Sequence, residues 1–237
     1  MTKNLTKINT KAFKNCPIET LYINSDINLN ESDKVEWLNE DSIRANLKTL
    51  KLESGITIIL YPAFKDCKNL TSITLHENLT EIRDGAFEGC TSLTSVDFSN
   101  CKKLTRISGF DNCTGLKSII WPENLTEIGF DAFQGCTGLT SITLPENLTH
   151  IRNSAFQGCK GLTSITLPEN LTEICDEAFK DCTGLNGTIV FPANVETICG
   201  DIIFSSPKGA FRNCINLQGL DFSACEKLTN MPAYAFY

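Results

Sequence analysis

Residues 139–161 read LTSITLPENLTHIRNSAFQGCKG, and residues 162–184 read LTSITLPENLTEICDEAFKDCTG. The two segments share one frame, in which a leucine opens the unit, an Ala-Phe pair follows in its second half and a cysteine stands near its end. Repetition at a fixed period is the sequence signature of stacked repeats, each of which packs mainly against its neighbours. The same frame opens, at steps of 23 residues, at Leu47, Leu70, Leu93, Leu116, Leu139, Leu162 and Leu185.

Each unit has a physical interpretation. Leu139, Ile142 and Leu144 alternate with polar residues, which predicts a half-buried strand. Pro145 then ends the strand because proline has no N–H to donate to a sheet. The apolar pattern resumes at Leu148 and Ile151. Residues 153–158 predict one short helical turn that buries Ala155 and Phe156, and a glycine at its end can adopt a positive φ.

A period of 23 residues lies in the range of leucine-rich repeats. The sequence therefore predicts an α/β-type repeat solenoid, a leucine-rich-repeat superhelix with a parallel β-sheet on its concave face and short helical or 3-10 turns elsewhere. Residues 1–237 are expected to form a single domain. Units 18–46 and 185–216 are longer, and their extra residues are expected to form loops. The predicted units start near Ile18, Leu47, Leu70, Leu93, Leu116, Leu139, Leu162, Leu185 and Leu217.

Two side-chain ladders follow from this stacking. The repeated phenylalanines predict an aromatic spine. The repeated cysteines predict a row of buried thiols, since cysteine in a core behaves as a small hydrophobe. Zinc or disulfides are the alternative, but zinc ligands converge on one point and often have C-x₂-C spacing, which this chain lacks. The predicted spine comprises Phe64, Phe87, Phe110, Phe133, Phe156, Phe179 and Phe211, and the predicted thiol row comprises Cys16, Cys67, Cys90, Cys113, Cys136, Cys159, Cys182 and Cys214.

Cys175 and Cys199 do not belong to that row. Each follows the buried isoleucine of its unit, so stacking places the two thiols side by side on adjacent coils, within reach of a disulfide. Whether they form a disulfide is left open by the sequence. No set of residues breaks the repeat to form a catalytic, cofactor-binding or metal site, so we expect no enzyme activity, no cofactor and no metal.

Charge and hydropathy exclude several classes of partner. The chain has a formal net charge of −7, which argues against binding to nucleic acid or to an anionic membrane surface. No apolar stretch is long enough for a membrane-spanning helix, so membrane insertion is not expected. The sequence MTKNLTKINTKAF at the start has no apolar segment typical of a signal peptide. The chain ends at Tyr237, partway through a unit, which predicts either a fragment or a last turn that caps itself.

The outward strand positions are the best candidate for a binding surface. Most of their side chains are short and several are β-branched, as expected on a sheet face. The predicted partner-binding residues are Tyr22, Lys51, Thr74, Asp97, Ile120, Thr143, Thr166, Val190 and Asp221.

The segment LTSITLPENLTEI at 162–174, the Ala-Phe pair and the closing Gly-Cys or Asp-Cys resemble the BspA-like leucine-rich repeats of bacterial and protist surface proteins. The resemblance covers nearly the whole chain and implies a curved solenoid. It also implies an adhesin-like, non-enzymatic module of a cell-surface or secreted protein, with a protein ligand such as a host or extracellular-matrix protein. The alternative is an intracellular scaffold of the same fold in the cytoplasm, which the reduced thiols would suit.

Overall fold

The computed structural model describes residues 13–23, 38, 41–199, 202–203, 206–231 and 235–236. These residues form a repeat solenoid of parallel strands, which confirms the predicted fold class. Each coil contributes one strand to a first face: β1 Thr20–Ile23, β2 Thr49–Leu52, β4 Ser72–Thr74, β6 Ser95–Asp97, β8 Ser118–Ile120, β10 Ser141–Thr143, β12 Ser164–Thr166, β14 Gly187–Val190 and β18 Leu217–Asp221.

A second face consists of shorter strands that the sequence analysis did not anticipate. Five of them form one parallel sheet in the order β15-β13-β11-β9-β7, and β3 pairs with β5. Each strand has two residues, the second of which is a buried isoleucine. The strands are β3 Ile58–Ile59, β5 Glu81–Ile82, β7 Arg106–Ile107, β9 Glu127–Ile128, β11 His150–Ile151, β13 Glu173–Ile174 and β15 Thr197–Ile198.

The two longer units contain the other described elements. A six-residue helix, α1 (Asp41–Asn46), buries Ile43 in the core. The two-residue strands β16 (Ile202–Ile203) and β17 (Ser206–Pro207) pair in antiparallel fashion. Of the longer units 18–46 and 185–216, whose extra residues were expected to form loops, residues 24–37, 39–40, 200–201 and 204–205 lie outside the described residues. None of the described helices is long and apolar enough to cross a membrane.

The first face has the register that the apolar alternation predicts. Leu21 of β1 lies opposite Leu50 of β2, which lies opposite Ile73 of β4. Along β1 and β2, every second side chain is buried. Equivalent positions therefore lie opposite each other in the paired strands, apart from a bulge between Gly187 and Thr188 in β14, and the same set of side chains faces the core.

The predicted helical turn at 153–158 is instead a series of tight turns that interlock with the next coil. Ala155, Gln157 and Cys159 donate their backbone N–H groups to the carbonyl three residues earlier. The N–H groups between them cross to the following coil, where Phe156 donates to Ala178 at 2.8 Å and Gly158 donates to Lys180 at 2.7 Å. A helix would use these donors internally, so the alternation both turns the chain and joins the coils.

The residue before the repeated cysteine has a positive φ in every described unit that has this cysteine. The values range from 58° to 72°, in the left-handed region that side chains other than Gly, Asn and Asp rarely adopt. Only these three residue types occupy the position, which confirms the positive φ predicted for this glycine. The residues are Asn15, Asp66, Gly89, Asn112, Gly135, Gly158, Asp181 and Asn213.

The aromatic spine is confirmed and continues one ring further than predicted. Successive rings from Phe64 to Phe211 stack with centroids 5.0 to 5.8 Å apart and planes within 13° of each other. Phe236 extends the stack at 5.4 Å from Phe211. Three residues at the ends of first-face strands, Phe98, Trp121 and Phe191, meet the spine edge to face. Offset stacking and edge-to-face contact are the favoured geometries of aromatic pairs.

The thiol row is buried from Cys67 to Cys214, whereas Cys16 at the N-terminal end of the described chain is exposed, contrary to prediction. Six thiols lie 3.0 to 3.3 Å from the carbonyl of a spine phenylalanine one coil earlier, as Cys159 does to Phe133. Each of these carbonyls already accepts a backbone N–H from the cysteine of its own coil, so the S–H group, a weak donor, adds a second contact that joins adjacent coils.

Substitution of Gly158 tests the backbone constraint without a steric clash. A Cβ atom at this position would lie 3.9 Å from the nearest atoms, at ordinary contact distance. We expect Gly158→Ala to lower the free energy of unfolding by about 1–2 kcal/mol, because alanine is strained at positive φ. Gly158→Asn should cost less, since asparagine occupies this position at Asn112 and Asn213. Urea denaturation of both variants measures the difference, and an equal loss in both would contradict the backbone explanation.

Candidate protein-interaction face

The nine predicted binding positions form one row across the first face, here called the strand row. Cross-strand pairing places Tyr22 opposite Lys51, and Lys51 opposite Thr74. The same register pairs Asp97 with Ile120, Thr143 with Thr166, and Val190 with Asp221. The three gaps between these groups are spanned by neighbouring strands in contact. The structure thus brings all nine residues together on one surface, as the sequence predicts.

The strand row contains three large apolar side chains that face solvent. Tyr22 is 57% exposed, Ile120 is 53% exposed and Val190 is 56% exposed. The other members are exposed as well, except Asp221, which is half-buried. Folding does not require apolar residues at these positions, because the repeat places its core residues on the opposite side of each strand.

A column of serines runs beside the strand row. It lies two residues before the row on five consecutive strands, and each serine is exposed. Short hydroxyl side chains leave the sheet surface accessible, so a partner can approach close to the backbone and contact the larger side chains. The column consists of Ser72, Ser95, Ser118, Ser141 and Ser164.

Tyr22 and Lys51 form a pair at one end of the row. The Lys51 ammonium nitrogen lies 5.1 Å from the centre of the Tyr22 ring. A cation over an aromatic face is attracted by the ring, with an energy of about 0.5–1 kcal/mol at an exposed site. The pair provides both an apolar surface and a positive charge at this end of the row.

The two aspartates of the row stabilise turns of the chain. Asp97 accepts the backbone N–H of Ser99 at 2.8 Å, and Asp221 accepts that of Ser223 at the same distance. Hydrogen bonds from Ser223 hold the pKa of Asp221 below its usual range. These contacts replace the turn that Pro-Glu-Asn forms in other units, so both aspartates have a structural role besides any contact with a partner.

The side chain of Trp121 forms a hydrogen bond between two coils in the middle of the first face. Its indole N–H donates to the carbonyl of Thr143 on the next coil at 2.7 Å. In the unit before, the corresponding bond runs from the backbone N–H of Phe98 to the carbonyl of Ile120. The side chain thus takes over a hydrogen bond of the main chain between β8 and β10, which sequence patterns do not reveal.

Charged residues connect the coils on the second face. Arg152 donates to Glu127 on the coil before it at 2.8 Å and to Glu173 on the coil after it at 3.1 Å. Arg106 lies 3.2 Å from Glu127. His150 is half-buried, with its Nε2 atom 3.7 Å from the Glu173 carboxylate. These residues come into contact only because the coils stack on one another, so the sequence pattern alone does not identify this network.

Cys175 and Cys199 are neighbours, as predicted, next to this network. Ile174 pairs with Ile198, and the N–H of Cys199 donates to the carbonyl of Ile174 at 2.8 Å. The two sulfurs lie within 4.8 Å of each other. All cysteines lie in described parts of the chain, and none is in a disulfide; the disulfide between these two that the sequence leaves open is therefore not formed here.

Burial changes the acidity of the ladder thiols. Desolvation raises the pKa of Cys67, Cys159 and Cys214 to about 12, against about 8.5 for an ordinary thiol. The thiolate is the reactive form of cysteine, so these residues are poor nucleophiles. The thiol row is therefore part of the core rather than a site of chemistry.

The raised pKa predicts a loss of stability at alkaline pH. Between about pH 9 and 12 the unfolded thiol loses its proton while the folded thiol keeps it, so ionisation favours the unfolded chain. Each such thiol should reduce the free energy of unfolding by about 1.4 kcal/mol per pH unit in this range. In urea titrations at pH 9 and 10, Cys159→Ala should show a shallower loss by that amount. Cys16→Ala, at an exposed position, should retain the original slope, and identical slopes in both variants would contradict the assignment.

A family model described as a BspA type leucine rich repeat region matches six copies in the chain, over residues 1–34, 42–126 and 106–237. None of the curated proteins compared with the chain matches it. The matched residues cover most of the sequence and include the strands of both faces.

Two solved structures show the same type of fold. A leucine-rich repeat protein from Bacteroides ovatus is 28% identical with a TM-score of 0.63, covering 75% of this chain and 46% of its own. A leucine-rich repeat protein from Eubacterium ventriosum is 20% identical with a TM-score of 0.61, covering 97% of this chain and 64% of its own. The chain spans less than two thirds of the length of either structure.

Proposed function

The chain belongs to the BspA-type leucine-rich-repeat family, and from this premise we propose that it is an adhesin-like, non-enzymatic module of a cell-surface or secreted protein. Leucine-rich-repeat proteins commonly serve as protein-interaction modules. The proposed ligand is a protein, of the kind found on host cells or in the extracellular matrix. The strand row is the proposed contact surface.

The exposure of Tyr22, Ile120 and Val190 in one row carries this proposal. They lie on the first, fifth and eighth of the nine first-face strands. At about 4.8 Å per strand, they are spaced by about 19 Å and about 14 Å. Three apolar contacts along a rigid face suit a partner that touches several coils at once.

The stiffness of the face supports binding. Parallel pairing joins the first-face strands in four groups, β1-β2-β4, β6-β8, β10-β12 and β14-β18, and the stacked phenylalanine spine connects the coils. A surface that is already ordered does not lose conformational freedom on association, so more of the contact energy appears as affinity. The mixed charges of Lys51, Asp97 and Asp221 favour a partner with polar groups around apolar contacts.

Binding is tested with the whole chain immobilised for surface plasmon resonance, with purified collagen, fibronectin and laminin as probes. We expect binding to at least one probe. Ile120→Asp should weaken this binding about tenfold or more, because it places a charge at the centre of an apolar contact. Ile215→Asp is the matched control, since Ile215 is 72% exposed but lies outside the strand row. Equal binding by Ile120→Asp and the unaltered chain would reject the strand row, and no binding to any probe would reject a matrix partner.

Location requires a separate experiment. Intact cells that produce the protein are treated with a protease that cannot enter them, and the chain is followed by antibody. A surface protein should be degraded while a cytoplasmic marker stays intact. Protection of the chain until the cells are lysed, together with its absence from the medium, would contradict the proposed location.

A further inference from the structure

Two cysteines occupy a position for which the repeat does not require sulfur. This position follows the buried isoleucine of each second-face strand. Other units have Leu60, Arg83, Ser108, Gly129 or Arg152 there, so the fold tolerates apolar, small, charged and polar residues. Cys175 and Cys199 occupy it on adjacent coils, apart from the thiol row that forms part of the core.

Stacking brings a carboxylate to the same point. One carboxylate oxygen of Glu173 and the sulfurs of Cys175 and Cys199 all lie within 4.8 Å of one another. Among the described residues, this is the one place where three such ligand atoms converge. The parallel register of β13 and β15 fixes the backbone that carries all three side chains.

We propose that Glu173, Cys175 and Cys199 bind a zinc ion. Zinc prefers cysteine sulfur and carboxylate oxygen in tetrahedral geometry, with Zn–S distances of about 2.3 Å. Ligands of one tetrahedral ion lie roughly 3.8 Å apart at those distances, so the side chains need only small movements. Cys175 is 5% exposed, whereas Glu173 and Cys199 are half-buried. Water can therefore supply the fourth ligand from the open side.

The surrounding charges suit this ion. Two thiolates and one carboxylate carry three negative charges, and zinc neutralises two of them. Arg152 donates to Oε2 of Glu173 at 3.1 Å and can balance the third, although it also contacts Glu127. His150 approaches the same Oε2 atom, so Oε1 can coordinate the metal. Such outer contacts orient ligands and typically strengthen a metal site.

A zinc ion at this site would contradict the sequence-based expectation of no metal, and the stacking of coils explains why the sequence does not reveal it. Sequence motifs detect ligands that are close along the chain, whereas these ligands come from two coils. A bound ion would connect the coils that start at Leu162 and Leu185, next to the insertion in the longer unit. Two thiol protons would be released to solvent when the ion binds.

Calorimetric titration of the reduced, full-length chain with zinc chloride tests the proposal. We expect one ion per chain. Cys175→Ser and Cys199→Ser should each weaken binding by about 100-fold or more, and Glu173→Gln by about tenfold. Cys16→Ser is the matched control, because Cys16 is exposed and remote in sequence, and it should bind like the unaltered chain.

Cobalt(II) provides a second readout that folding alone would not change. Sulfur coordination should produce a near-ultraviolet charge-transfer band, which should fall by about half or more in Cys175→Ser and in Cys199→Ser while circular dichroism shows the same fold. Unchanged zinc affinity in these variants would overturn the proposal. Failure of the reduced chain to bind zinc would also overturn the proposal, even if mild oxidation joins the two thiols in a disulfide.

Discussion

The hydrogen bonds between the turns of successive coils are the constraint on which the structure depends. At Phe156 and Gly158, alternate backbone N–H groups leave their own turn and bind carbonyls of the next coil. This is possible only if the chain adopts positive φ at fixed points, which explains why Gly, Asn and Asp alone precede the repeated cysteine. Once these turns interlock, the repeated parts of successive coils share one register. The phenylalanine rings and thiols therefore align as a consequence of that register.

The same constraint separates the positions that fold the chain from the outward positions that are open to a partner. Core positions are fixed by the register, whereas the outward strand positions contribute little to stacking. The chain can therefore hold Thr143 and Thr166 at two places in the strand row and Ile120 at another without altering the coil beneath. Asp97 and Asp221 are exceptions, since their carboxylates also support turns. A repeat of this kind can change what it binds by substituting a few exposed residues on a constant scaffold.

The sequence predicts features that repeat at every coil. The period identifies the solenoid, the aromatic spine and the strand row, because each depends on which positions face inward. Two-residue strands such as Glu127–Ile128 are too short to show a periodic pattern, so the second face was not predicted. The turn at 153–158 was assigned to a helix because turn and helix bury the same Ala-Phe pair. The indole of Trp121 bonds to a carbonyl one coil away, which no local pattern encodes.

Cysteine in this chain illustrates how position determines chemistry. Cys159 lies deep in the core against the carbonyl of Phe133, where desolvation keeps the thiol protonated and inert. Cys175 lies on the second face, beside a second thiol and the carboxylate of Glu173. Identical side chains are thus core residues in the thiol row and candidate metal ligands on the second face. The difference arises from the register between coils, because it decides whether a sulfur meets a carbonyl of the core or other ligand atoms at the surface.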